Sequence, residues 1–217
     1  MHLRPARARA SPVRAQGAVR HVTGLFDAPL IPGLDYRDDV ITAAEEHALI
    51  AHLDTLDLSP FRFQGWLGNR KTMSFGWCYD FDDASFMPTE PIPDWLEPLR
   101  DRAAAFAGVG PDSIHHVLVA RYDPGAGIGW HKDRDVFDQV VGVSLGTPAM
   151  LRFRQRTADG FRRAAIEVAP RSAYLLSGEV RRDWEHRITP GDRLRFSITF
   201  RTLSDKGRRI AAVQRAS

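Results

Sequence analysis

Gly129–Asp135, GWHKDRD, concentrates groups that hold metal ions. His131 and Asp133 stand two residues apart. In a strand running through Asp135, side chains alternate, so this imidazole and carboxylate would face the same way. That is half a metal site; taken alone it is equally a polar strand edge facing water. A second imidazole, His186, comes later in WEHRI, Trp184–Ile188. Two imidazoles and one carboxylate on one side of a metal leave three positions open, the arrangement non-haem Fe(II) uses to take O2 and a chelating cosubstrate. His186 alone is as readily a surface or core histidine. His115 and His116 compete for the role, but neither has a carboxylate two residues away.

The segment RLRFSITFR, Arg193–Arg201, follows His186 after a short turn and should pass the metal. Leu194, Phe196, Ile198 and Phe200 make one face, a core face. Arg193, Arg195, Ser197, Thr199 and Arg201 make the other. Arginines turned into a protein interior need carboxylates, because a lone buried charge is too costly. The planar guanidinium suits a carboxylate bidentately, so a dicarboxylate such as 2-oxoglutarate would satisfy them.

The elements that position these groups fall into two halves. Ile41–Leu56 has a helical rhythm, with Ile41, Leu49, Ile50, Leu53 and Leu56 on one face and a capping box of Thr42 with Glu45. Asp94–Gly108 predicts a second helix, with Asp94 as N-cap, Pro98 in the first turn and Gly108 as the stop. Between them lies an aromatic, basic, Gly-punctuated stretch of short strands and loops. From His115 on, seven segments alternate with turns: HHVLVARYD, VVGVSLG, AMLRFRQ, AAIEVA, SAYLLSG, WEHRI and RLRFSITFR. The pattern predicts an α+β domain, a jelly roll backed by the N-terminal helices. The expected organisation is a basic arm over 1–23, a domain over 24–205 (helices and substrate lid to 114, jelly-roll core from 115) and a basic tail over 206–217.

Bulk properties narrow the class. The 217 residues suffice for one domain with a sizeable core, and 43% hydrophobic with 26% charged residues is ordinary for a globular protein. Cys78 is the one cysteine, so no intramolecular disulfide forms and a reducing cytoplasm is the expected setting. No run approaches the roughly 18 apolar residues of a spanning helix, and no membrane partner is expected. Net charge is only +3, yet Arg4, Arg7, Arg9, Arg14 and Arg20 precede the first acid. This start suits a nucleic-acid arm, a disordered leader or a transit peptide.

His131-Lys132-Asp133, His186 and the R-x-S-x-T-x-R of Arg195–Arg201, in this order, resemble the AlkB family of Fe(II)/2-oxoglutarate dioxygenases, over roughly Leu25 to Leu203. ARYDPGAGIGWHKDRD, at 120–135, resembles the family's N-x-Y-x-P-G…H-x-D-x-D segment, and VSLG at Val143–Gly146 agrees. The resemblance implies a double-stranded β-helix core, with Fe(II) on His131, Asp133 and His186. It implies 2-oxoglutarate on Tyr122, Arg195, Ser197 and Arg201, with Arg201 also bracing Asp133, and O2 as the second cosubstrate. Two positions depart from the family: its Asn before the Tyr is Ala120 here, and the middle Asn of its arginine motif is Ser197. Asp135 matches the acid that lies near the exocyclic group of a damaged base.

Phe61, Phe63, Trp66, Phe75, Trp77 and Tyr79 interleave with Arg62, Arg70 and Lys71, a composition suited to a single-stranded or flipped nucleotide. Asp135, Arg70, Lys71, Phe75 and Tyr79 are the candidate substrate contacts. The expected enzyme is a monomeric dioxygenase that dealkylates N-alkylated bases in DNA or RNA, releasing an aldehyde and the repaired amine while 2-oxoglutarate becomes succinate. The rivals are the same chemistry on a protein side chain or small molecule, and a non-catalytic nucleic-acid-binding module with this fold.

Overall fold

The computed structural model describes residues 31–63, 66–80 and 83–216; the side chains of 62–67, 215 and 216 fall outside that description. The arm over 1–23 and the domain start near Gly24 also lie outside the described residues.

In chain order the elements are β1 (Leu34–Arg37), α1 (Ala43–Leu53), β2 (Ser59–Phe63), β3 (Trp66–Phe75), β4 (Trp77–Tyr79), β5 (Phe86–Pro88) and α2 (Glu97–Ala107). Then follow β6 (Ile114–Tyr122), β7 (Ile128–His131), β8 (Phe137–Leu145), β9 (Ala149–Thr157), β10 (Gly160–Val168) and β11 (Ala173–Leu176). Last come α3 (Gly178–Asp183), β12 (Glu185–Ile188), β13 (Arg195–Leu203) and α4 (Asp205–Ala216). A seven-stranded sheet runs β1-β11-β8-β13-β6-β3-β2, a four-stranded sheet β10-β9-β12-β7, and β4-β5 form a separate hairpin. The pairings are antiparallel, and the two larger sheets are the walls of the jelly roll.

The helices form where local chemistry predicts them. Thr42 Oγ1 accepts the Glu45 amide at 3.2 Å, and Glu45 Oε2 accepts the Thr42 amide at 2.7 Å. Gly108 ends α2 in the left-handed region, at φ 69°, where a side chain would be strained. Asp94 is no cap; it opens a 3-10 turn that begins from Pro93. Both helices pack on one face of the larger sheet, against Val117, Val119, Val143, Phe196, Ile198 and Phe200. Every residue of β13 is buried, so its polar side, Arg195 to Arg201, faces inward between the sheets.

Several expectations change. β7 stops at His131 rather than continuing to Asp135. It is the edge of its sheet, and beyond it Lys132 Nζ turns to the Arg182 carbonyl while Phe137 N bonds Arg134 O in a turn. Asp133 therefore reaches the site from a loop, and strand alternation does not extend to Asp135. A short helix, α3, separates β11 from β12. The expected basic tail is the helix α4. Its Lys206, Arg208 and Arg209 obscure a stripe at i, i+3, i+4: Gly207, Ile210 and Ala211. Ile210 and Ala211 pack with Trp77, Phe86, Val136 and Phe137. Gly207 seats on the Val136 carbonyl, where an added Cβ would lie 2.1 Å from the oxygen.

Candidate active site

One cavity between the sheets collects side chains from both. Arg195, Ser197, Thr199 and Arg201 enter from β13 and Tyr122 from β6, with His131 and His186 from the opposite wall and Asp133 from the loop after β7. Leu118, Val140, Leu151 and Leu176 make the rest largely apolar.

His131 and His186 are Cα partners across the β7–β12 ladder, and their ring centroids lie 4.3 Å apart. His131 Nδ1 is 2.9 Å from the Gly129 carbonyl, which can only accept, so the proton sits on Nδ1 and Nε2 keeps its lone pair. His186 Nε2 lies 3.6 Å from Asp133 Oδ2. Arg201 donates from Nε (3.0 Å) and Nη2 (2.7 Å) to Asp133 Oδ1, while Oδ2 is buried with no hydrogen-bond partner. An ion with bonds of about 2.1 Å at octahedral angles wants donors about 3 Å apart. Among the described residues no three donors already stand at closed-cage spacing. The unpartnered Oδ2, its short approach to His186 and the two-imidazole, one-carboxylate chemistry together fit Fe(II), with His131, Asp133 and His186 as the ligands.

The electrostatics agree. Burial alone pushes the Asp133 carboxyl up, but Arg201, the two imidazoles and Arg181 outweigh it and hold it well below the usual carboxylate range. Burial, then His131, drives His186 down to about 3, and burial also lowers His131. Both rings are thus neutral at neutral pH, the form in which an imidazole can take a metal. Arg181 fixes the loop: Nη1 bonds the Asp133 carbonyl at 3.2 Å, and Nη2 bonds those of Arg134 and Phe137 at 2.6 and 2.7 Å.

Two predictions arise here. Arg181→Met leaves Asp133 in place but unclamps its backbone, so Fe(II) or Co(II) affinity should fall about 10–100-fold, the usual cost of losing a group that orients a metal ligand. Titration with Co(II) under nitrogen measures it; unchanged affinity would remove Arg181 from the site. The metal-free protein should lose stability on acidification below about pH 6.5. His186 has a folded pKa below its unfolded value, so the unfolded chain binds the proton first and stability drains from pH 6.5 towards 3. Asp133, also depressed, adds a loss below about pH 4. Urea unfolding across about pH 2–8 reads both, and a flat profile would contradict them.

Arg195 is 3% exposed. Its Nε donates to Ser144 Oγ at 3.2 Å, while Nη1 and Nη2 are buried without a partner. A buried guanidinium with both terminal nitrogens unbonded is poised for a bidentate carboxylate. Tyr122 lies beside it, its ring 4.9 Å from the guanidinium. Burial raises the Tyr122 phenol, but Arg70 and Arg195 outweigh it and the net shift is downward. The cavity wall carries three guanidiniums, Arg70, Arg195 and Arg201, against one carboxylate, Asp133. That excess of two positive charges matches a dicarboxylate.

Residues 44–201 match the 2OG-Fe(II) oxygenase superfamily. The chain belongs to that superfamily. Within it, the chain is AlkB-like. It is 27% identical over 191 residues to an Arabidopsis thaliana protein named alkylated DNA repair protein ALKBH8 homolog, covering 76% of this chain and 53% of the relative. It is 29% identical over 155 residues to the alpha-ketoglutarate-dependent dioxygenase AlkB of Salmonella typhimurium, covering 65% and 68%. The chain spans about half the length of the Arabidopsis relative and a quarter (25%) of a mouse tRNA (carboxymethyluridine(34)-5-O)-methyltransferase ALKBH8. In fold it resembles the structure of OsALKBH1 (TM-score 0.64, 16% identity, 80% of this chain and 98% of that one). It also resembles a Pseudomonas putida prolyl-4-hydroxylase (0.55, 16%, 79% and 93%).

The expected substrate contacts are only partly gathered. Arg70, expected at a phosphate, is 7% exposed and turned into the cavity, its guanidinium 4.0 Å over Phe61. β3 pairs with β6 beside Tyr122, so the alternation that exposes Lys71 buries Arg70. Phe75 is no stacking platform: it is buried in the helix-backed core, edge-on to Trp95. Tyr79 is half-buried, with the Arg134 guanidinium 4.7 Å over its ring. Asp135 does not line the cavity; its exposed carboxylate bonds Lys206 of α4 at 2.8 Å. Arg201 spends its donors on Asp133 and, through Nη1, on His116 Nδ1 at 3.2 Å, so its bracing role is the one the geometry supports. Sequence reading missed Arg181 and Ser144. Arg181 had a signal: it precedes the proposed ligand His186 by five residues, on the turn that delivers it.

Proposed function

We propose that the chain is an Fe(II)- and 2-oxoglutarate-dependent dioxygenase that oxidatively dealkylates N-alkylated bases in DNA or RNA. The carrying observation is one cavity that sets the unpartnered Asp133 Oδ2 among neutral imidazoles and turns the unbonded terminal nitrogens of Arg195 inward. The relatives' names, which speak of alkylated DNA repair and RNA/DNA demethylation, support the substrate class.

Bound Fe(II) supplies O2 activation coupled to decarboxylation of 2-oxoglutarate to succinate. The protein does the rest. Arg195, held by Ser144, anchors the distal carboxylate of 2-oxoglutarate, with Tyr122 and Ser197 beside it. Arg201 keeps Asp133 ionised and aimed. The apolar wall of Leu118, Val140, Leu151 and Leu176 excludes water. His131, the half-exposed imidazole, marks the side from which substrate arrives, and a base must leave its stack to bring its alkyl carbon there. The hydroxylated N-alkyl group then breaks at its C–N bond to give an aldehyde and the free amine. The protein acts as a monomer, on a single strand or a flipped base, and unpaired Cys78 suits a reducing cytoplasm.

The fold likeness to a prolyl hydroxylase keeps a protein substrate as the second reading. Methylated oligonucleotides beside methylated and proline-bearing peptides, read by mass with succinate measured in parallel, separate the two. Turnover confined to peptides would overturn the nucleic-acid assignment; no turnover of either with Fe(II) and 2-oxoglutarate present would overturn the oxygenase.

A further inference from the structure

The four-stranded sheet has a second face, turned away from the cavity. Alternation and register place there Arg152, Arg154 and Arg156 of β9, Arg163 of β10 and Arg187 of β12, because Leu151, Phe153, His186 and Ile188 take the inner face. Two aromatic rings lie among them. Arg154 and Arg187 stack on Trp130, at 4.5 and 4.9 Å from its centroid. Arg154, Arg163 and Arg156 gather on Phe161, at 4.8, 5.4 and 5.6 Å. The acids sharing this face are Glu185, which pairs with Arg154 at 2.6 Å, and Glu167. Arg152, Arg156, Arg163 and Arg187 have no carboxylate partner among the described residues.

Such a surface opposes itself unless something anionic meets it. An arginine stacked on a ring is pre-ordered, with its π-face satisfied and its remaining N–H groups available to a phosphate; Arg163 also gives Nη1 to the Phe161 carbonyl at 3.3 Å. The patch is also well placed. Among the described residues β7 is the edge strand of this sheet, and along it Trp130 on the outer face precedes His131 on the inner face by one residue. A chain lying over the arginines needs to cross only that edge to enter the cavity.

We propose that this outer face is a docking platform for the phosphate backbone of a single-stranded nucleic acid, which holds the strand flanking the base delivered at His131. This rests on the nucleic-acid reading of the active site, and it adds a recognition surface outside the cavity. Phosphates supply the complementary charge at a regular spacing, and the exposed arginines take them as independent contacts.

The test compares a methylated single-stranded 12-mer with a methylated trinucleotide too short to reach beyond the edge. The full chain loaded with Fe(II) is assayed as wild type, as the triple Arg152→Ala, Arg156→Ala, Arg163→Ala variant, and as the matching Arg→Lys triple. Each lost phosphate contact removes about 0.7 from the slope of log affinity against log salt for single strands, so the alanine triple should flatten the slope by about 2. It should weaken the 12-mer about tenfold or more at low salt and move trinucleotide kcat/KM by less than about twofold. The lysine triple should restore the slope. Equal losses for 12-mer and trinucleotide would mean the substitutions disturb the cavity and would overturn the platform. So would an unchanged 12-mer slope, or binding to anionic lipid vesicles lost in its stead. Wild-type turnover of the trinucleotide shows separately that the reading of the active site stands.

Discussion

Asp133→Ala should abolish succinate formation and also lower the stability of the folded chain by about 3–5 kcal/mol, the usual cost of leaving a buried ion-pair partner alone. Both effects come from one carboxylate. Its Oδ2 is the free donor beside His186, and its Oδ1 takes both Arg201 bonds. Deleting it strands Arg201 in the interior. The two roles can be parted: Asp133→Ala with Arg201→Met removes the stranded charge, so urea unfolding should recover much of the loss while succinate stays absent. His131→Ala, at the half-exposed ligand, should be inactive with little change in stability. Normal turnover by either single variant would sink the iron assignment.

Arg195→Met should act in the opposite direction on the two readouts. Truncating one member of a buried charge pair costs about 2–5 kcal/mol of binding, so the KM for 2-oxoglutarate should rise at least about 30-fold. In the absence of cosubstrate, though, Arg195 is a buried cation whose terminal nitrogens have no partner. Replacing it with an apolar side chain of similar length should leave unfolding free energy unchanged or higher. Weaker cosubstrate binding with undiminished stability is the signature of a residue kept for its ligand. A variant that loses stability and keeps its KM would show that Arg195 serves the fold.

What could be read in advance follows from how local the signal was. β13 was legible because both its faces are fixed by composition: Phe196, Ile198 and Phe200 cannot face water, and Arg195 and Arg201 cannot face the helices. The capping box of α1 and the Gly108 stop were legible because each is made within a few residues. Arg70 was misjudged because a basic residue in an aromatic stretch says nothing about which neighbour its strand will take; pairing of β3 with β6 turned it inward. Phe75 failed the same way, since its core partner Trp95 comes from a distant turn. Asp135 was lost when β7 ended early, and the helix that claims it was hidden under its own positive charge. The arginine face was invisible because β9, β12 and β7 are neighbours in the sheet but not in the chain.

The ladder between β7 and β12 has a further consequence. His131, on an edge strand of four residues, meets His186 of the inner strand β12 as its Cα partner, and the register already shifts between His186 and Ile188. A slip of β7 by a single residue would send His131 to the arginine face and bring Trp130 into the cavity. A metal held by this ligand set would act as a proofreader of folding, since a slipped molecule would offer it one imidazole fewer. The fraction of a preparation that binds Co(II) stoichiometrically therefore counts the molecules whose edge strand has settled correctly. Metal present during refolding should raise that fraction, because it stabilises the one alignment that completes the ligand set.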